Sequence, residues 1–210
     1  MTVEAAKRDI VFLLADQAME QVVLGFLGRQ QFHRSLGCAK FTFNPRDIIV
    51  SQMRDSGMPK HAYGLLKSYE RTHQRAVVMV DAAWTGCPGA TMLKESLGQS
   101  LSEGWEEFAV IVIEPELEAW IMNDNSHLHR MFRCPENYRE ILAGVGHWPV
   151  GAAKPPDPKA ALDYLRKKHK VRVFNAEFGK LAAVMSVRHC QDAAFIQLRD
   201  QLRAWFPKQP

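Results

Sequence analysis

Cysteine is sparse and unpaired in this sequence. The four cysteines, Cys38, Cys87, Cys134 and Cys190, form no CxxC pair. That pattern argues against a zinc knuckle or a disulfide frame and for reduced thiols in the cytoplasm. No apolar run approaches the roughly 20 residues a membrane span needs. The first such run, Ile10 to Ala15, stops at Asp16 and is too short for the apolar part of a secretory signal. A cytoplasmic protein with no membrane association is therefore expected. The sequence has no internal repeat and no low-complexity tract. It also has no Walker loop, no glycine-rich dinucleotide turn and no His-Glu-x-x-His signature, which argues against an ATPase, a dehydrogenase or a zinc protease.

What is present suits a globular fold. The 210 residues are 47% apolar and 24% charged, enough for a core without covalent staples. The net charge of +4 is unevenly placed. Residues 151–210 hold 12 Lys/Arg against 5 Asp/Glu, while residues 1–150 hold 15 against 18. A basic C-terminal part on a slightly acidic body is compatible with nucleic-acid binding. A solvated helical surface explains it equally well.

Short apolar runs alternate with helical spacings. Asp9 to Ala15, Ala76 to Val80 and Phe108 to Ile113 read as buried strands. Phe41 to Phe43 reads as a further short strand. Arg46 to Lys60 reads as a long loop in which Ile48, Ile49 and Val50 can pair briefly. Helices are expected over Gln17–Phe32, His61–His73, Thr91–Ser102, Pro158–His169, Phe178–Val187 and Asp192–Trp205. Asp157 is the natural N-cap of the helix that Pro158 opens. This order predicts an α/β fold with a mainly parallel sheet flanked by helices. An α/β domain over 1–150 would be followed by a basic helical extension over 151–210 packed on it.

Acids close three of the strands. The first strand ends at Asp16, with Glu20 one turn later on the following helix. The second ends at Asp81, and the third runs into Glu114, Glu116 and Glu118. Carboxylates converging from separate strand ends can hold a hard divalent ion. Such an ion would activate water for phosphodiester cleavage. Each acid alone can equally be a helix cap, as Asp16 can for the helix starting at Gln17.

The order strand–Asp16-x-x-x-Glu20–helix, then strand–Asp81, then strand–Glu116-x-Glu118 resembles the Toprim domain. That domain occurs in topoisomerases, primases and the overcoming-lysogenisation-defect nucleases. More closely, the chain resembles Toprim-like small bacterial proteins encoded near ATPases in defence loci. The segment Pro115-Glu116-Leu117-Glu118-Ala119-Trp120 with Asp124, the Pro158-Lys159 helix start, and Arg188-His189-Cys190 with Phe195 and Leu198 carry the likeness.

The resemblance implies a nuclease-type site. Asp16, Glu20, Asp81 and Glu118 would hold Mg²⁺ or Mn²⁺. Glu20, Asp81, Glu118 and Lys159 would act in catalysis, Lys159 at the phosphate, with Lys154 as a second cationic candidate. Nucleic acid and an ATPase or other defence protein are the implied partners. Three positions depart from the family pattern. Asp16 stands where Glu is usual, Gln17 replaces a glycine, and Ala83 replaces the second acid of an Asp-x-Asp pair. The loss at Ala83 also admits a degraded Toprim module serving as a partner, scaffold or sensor subunit.

Three further features have both functional and structural readings. Trp84 is a candidate base-stacking residue or a hydrophobic plug. His61 opens a predicted helix and is placed to face the site or to cap its loop. The run Arg166-Lys167-Lys168-His169-Lys170 suits phosphates, and it also suits the negative end of a helix dipole.

Overall fold

The computed structural model describes residues 6–122, 127–172, 174–188 and 190–208. Four strands, β1 (Arg8–Leu14), β2 (Ile48–Val50), β3 (His73–Asp81) and β4 (Glu107–Ile113), form one sheet in the order β2-β1-β3-β4. All three pairings are parallel, with Phe12 opposite both Ile48 and Val77, and Val78 opposite Val110. The central strands are buried along nearly their whole length, which is why they read as apolar runs without alternation.

Ten helices among the described residues accompany the sheet: α1 (Gln17–Leu27), α2 (Phe32–Leu36), α3 (Arg54–Leu66), α4 (Ala90–Leu101), α5 (Glu118–Ile121), α6 (Leu128–Phe132), α7 (Tyr138–Gly144), α8 (Pro158–His169), α9 (Asn175–Val184) and α10 (Ala193–Trp205). α3 packs with α4, and α1 packs with α9. α10 lies along β4, and its Phe195 meets Phe26 of α1 edge-on at 6.0 Å. A single apolar cluster runs from Ile10 to Phe206, so the last sixty residues share the core of the first part.

The α1–α9 crossing is unusually close. A Cβ on Gly25 would sit 2.1 Å from the carbonyl oxygen of Gly179, so only glycine fits there. Arg29, just past the end of α1, donates to the Ala182 and Met185 carbonyls and satisfies the C-terminal end of α9. At the N-terminal strand ends, buried Asp47 joins Arg8 to His73, whose Nε2 is 3.2 Å from it.

The structure revises three segment readings. Residues 41–43 are not a strand: the Thr42 N–H donates to the Asp9 carboxylate at 2.7 Å instead of to a neighbouring strand. Phe41 there stacks on Phe206 at 4.5 Å. The brief pairing allowed to Ile48, Ile49 and Val50 is the edge strand β2. The helix expected from His61 begins at Arg54 and ends before His73, which opens β3. The segment up to Lys60 reads as a loop because it is polar, but Met58, Ala62 and Leu66 are fully buried at helical spacing, and that packing overrides the weak propensity. The helix predicted over 17–32 stops at Leu27, with Gly28 as its C-cap, and resumes as α2.

Several boundaries agree closely. α8 starts at Pro158 with the Asp157 side chain accepting from the Ala160 N–H. α10 follows the N-cap Asp192, whose Oδ1 accepts from the Ala194 and Phe195 N–H groups. No helix among the described residues is long and apolar enough to cross a membrane.

Candidate functional site

The strand order creates the site. From β1 the chain steps one way to β2 and the other way to β3 and β4. The reversal opens a crevice at the C-terminal ends of β1 and β3, where open parallel sheets bind ligands. Asp16 follows β1, and Asp81 is the last residue of β3. A cleft of about 810 Å³ lies there, with Asp16, Asp55, Asp81, Glu116, Lys159 and Asn175 on its walls.

Asp81 is the most perturbed of these acids. Its carboxyl is pushed up to about 9, chiefly by burial and then by the charge of Asp55. The Leu117 N–H opposes the shift, while Asp16 and Glu118 reinforce it. Oδ1 of Asp81 is buried and has no hydrogen-bond partner among the described residues. The carboxyl is therefore protonated at neutral pH unless a cation joins it.

Asp55 was not anticipated. It lies in the first turn of α3, and its Oδ1 accepts the Asp81 backbone N–H at 2.7 Å. Burial raises its pKa, Asp16 adds to the rise, and the Asp81 N–H opposes it. The sequence signal was an acid after a fourth strand, obscured because β2 is only three residues long.

The β4 end supplies the cationic pairing. Glu116 is 6% exposed and accepts from Lys159 at 3.1 Å. That hydrogen bond is the main cause of the raised Lys159 pKa, and the charges of Glu118 and Asp81 add to it. Glu118 opens α5 and has a raised pKa, first from burial and then from Glu116. Behind it, buried Trp120 donates from Nε1 to Asp192 at 2.8 Å. Lys154 also pairs with Asp192, so it serves this packing node and not the cleft. Trp120 thus fixes α5, and Lys154 the connection before α8, against the N-terminus of α10.

The sequence-predicted residues therefore divide. Asp16, Asp81 and Lys159 line the cleft, and Glu118, which does not line it, is coupled to them by charge. Asp16 also caps α1, accepting the Met19 N–H at 2.8 Å, so its cap role and its cleft position coexist. Glu20 is half-buried on α1 and does not line the cleft. Ala83 and Gln17 do line it, at the positions where the resemblance expects an acid and a glycine. Asp124 and His189 lie outside the described residues. His61 is exposed in mid-helix, and Trp84 packs half-buried against the core.

The charge pattern fits a hydrated hard cation. Asp81 has an unpartnered buried oxygen, and Asp55, Asp81 and Glu118 are all held above their ordinary values. Among the described residues no three His, Cys, Asp or Glu side chains are gathered as a ready ligand set. An ion held here would therefore take one or two carboxylates and keep several waters, as Mg²⁺ does when bound without an all-protein cage. Asp81 with Asp55 or Glu118 would hold it. When bound, such an ion would polarise a phosphoryl oxygen and lower the pKa of a water. Lys159, anchored by Glu116, would supply positive charge beside it. No family model, curated protein or solved structure matches the chain.

Proposed function

We propose that this chain is a Toprim-like, Mg²⁺- or Mn²⁺-dependent phosphodiesterase acting on nucleic acid, a nuclease component of a bacterial antiviral defence system in the cytoplasm. The observation that carries the reading is the buried, unpartnered Asp81 carboxyl oxygen in an acid-lined cleft at the strand-order reversal. The crowding of like-charged carboxyls at that position favours a divalent ion, and Lys159 lines the same cleft with the charge a scissile phosphate needs. Asp55 offers a carboxylate in the cleft that Ala83 does not. The order of acids along the chain, and the resemblance it carries, supply the reaction class. An ATPase or another protein of the defence system is the expected partner.

A second reading rests on Ala83. With no oxygen at that wall of the cleft, the chain would be a degraded Toprim module that serves a defence complex as a scaffold or sensor subunit. Incubating the purified protein with plasmid and single-stranded nucleic acid plus Mn²⁺, beside a Glu118→Ala control, separates the two. Cleavage that disappears in the control supports the enzyme. No cleavage together with no calorimetric heat of Mn²⁺ binding removes it and leaves the second reading.

A further inference from the structure

The basic run at the end of α8 is sorted by its helix into two groups. Lys168 turns to Tyr164, with Nζ 3.4 Å from the hydroxyl and 5.4 Å from the ring centroid. Arg166, Lys167, Lys170 and Arg172 instead surround a separate hollow of about 340 Å³. One acid, Asp163, shares its wall and pairs with Arg166 at 3.0 Å. Four cations against one carboxylate leave the hollow strongly positive.

The turn that closes the hollow is itself informative. Lys170 has φ +53°, the left-handed conformation that ends a helix and that glycine ordinarily supplies. The Val171 N–H returns to the Arg166 carbonyl at 3.0 Å, which brings Arg172 back beside Arg166 and Lys167. A lysine therefore occupies a position where its backbone is strained and its charge sits at the lip of a concave surface. Strain of this kind is kept where the side chain matters.

The hollow is also aligned with the cleft. At 3.6 residues per turn, Arg166 lies seven positions beyond Lys159 and within about 20° of it around the α8 axis, and Lys170, eleven beyond, stands at the turn that ends the helix. At 1.5 Å per residue they stand about 10 and 16 Å further along the helix. One stripe of α8 thus runs from the cation in the cleft to the cations of the hollow. A polyphosphate chain laid along that stripe meets positive charge at both ends.

We propose that the hollow lined by Arg166, Lys167, Lys170 and Arg172 binds the phosphodiester backbone of a nucleic-acid strand and leads it along α8 toward the cleft. This deepens the nuclease reading by assigning its strand-binding subsite. The test measures binding of a fluorescein-labelled single strand of about 12 nucleotides, within the usual range of single-strand sites. It is done in EDTA across a salt series, with a duplex of equal length alongside.

Each lost contact to a single strand should lower the slope of log K against log [salt] by about 0.7, or about fourfold in affinity at 0.15 M salt. Lys170→Gly should show that loss while keeping or raising the melting temperature, because glycine suits the turn. The triple change Lys167→Ala, Lys170→Gly, Arg172→Ala should weaken binding about fiftyfold by the same rule. Lys168→Ala, with the same change in net charge as Lys170→Gly, should leave the slope unchanged.

Equal effects of Lys168→Ala and Lys170→Gly would reduce the hollow to general surface charge and overturn the proposal. So would undiminished binding by the triple variant, binding of the duplex alone, or no binding by the wild-type chain. Because EDTA removes divalent ions, these outcomes stand apart from the Mn²⁺ cleavage test. The hollow and the nuclease reading can therefore fail separately.

Discussion

Replacing Asp81 by asparagine should stabilise the protein, and increasingly so as pH rises. The folded chain holds a proton on Asp81 up to about pH 9, whereas the unfolded chain releases it near the ordinary value of 3.8. Between those limits the native state binds one more proton than the unfolded state. Unfolding free energy therefore falls as pH rises, by about 1.36 kcal/mol per unit from this group alone. Between pH 5 and pH 8 the loss is on the order of 4 kcal/mol. Asparagine keeps an oxygen for the Leu117 N–H but cannot ionise.

Urea denaturation of both proteins at pH 5, 6, 7 and 8 measures the effect. The gap between their stabilities should be small at pH 5 and widen steadily to pH 8. A saturating divalent cation should offset part of the wild-type loss at high pH, because binding to the native state adds about 2.7 kcal/mol at 100 times Kd. The same cation should do little for Asp81→Asn. Parallel stability curves for the two proteins would refute both the burial of this charge and the cation reading built on it.

Asp55→Asn removes the second-largest cause of the Asp81 shift while retaining an acceptor for its backbone N–H, so the pH-dependent loss of stability should begin at the same pH, end at lower pH and shrink in extent. The same urea series checks it, and an unchanged pH profile would mean the two carboxyls do not interact. Gly25→Ala forces a methyl group against the Gly179 carbonyl and should cost about 1–3 kcal/mol or more, read from the urea midpoint. A near-neutral result would show that α1 and α9 do not cross as closely as described.

The buried strands were legible because they are continuous apolar runs closed by an acid, and a parallel sheet buried on both faces produces that signal locally. The start of α8 was legible because Asp157 and Pro158 act within one turn. Residues 41–43 and 54–60 were misread for a different reason. Phe41 to Phe43 alternate like a strand, but Asp9 takes the Thr42 N–H. The polar stretch up to Lys60 looks like a loop, but Met58, Ala62 and Leu66 find a buried face. In both cases a partner distant in sequence decided the backbone.

The amino-acid order by itself determined that acids stand at the ends of parallel strands, because strand ends and helix starts are local events. Only the tertiary structure decided which acids meet. The order β2-β1-β3-β4 places Asp55 beside Asp81, leaves Glu20 off the cleft wall, and draws Lys159 across to Glu116. Burial then raises the Asp81 carboxyl, because its charge loses water and gains like-charged neighbours at once. Those two effects depend on the strand order and the packing around it, and no window of the sequence contains them.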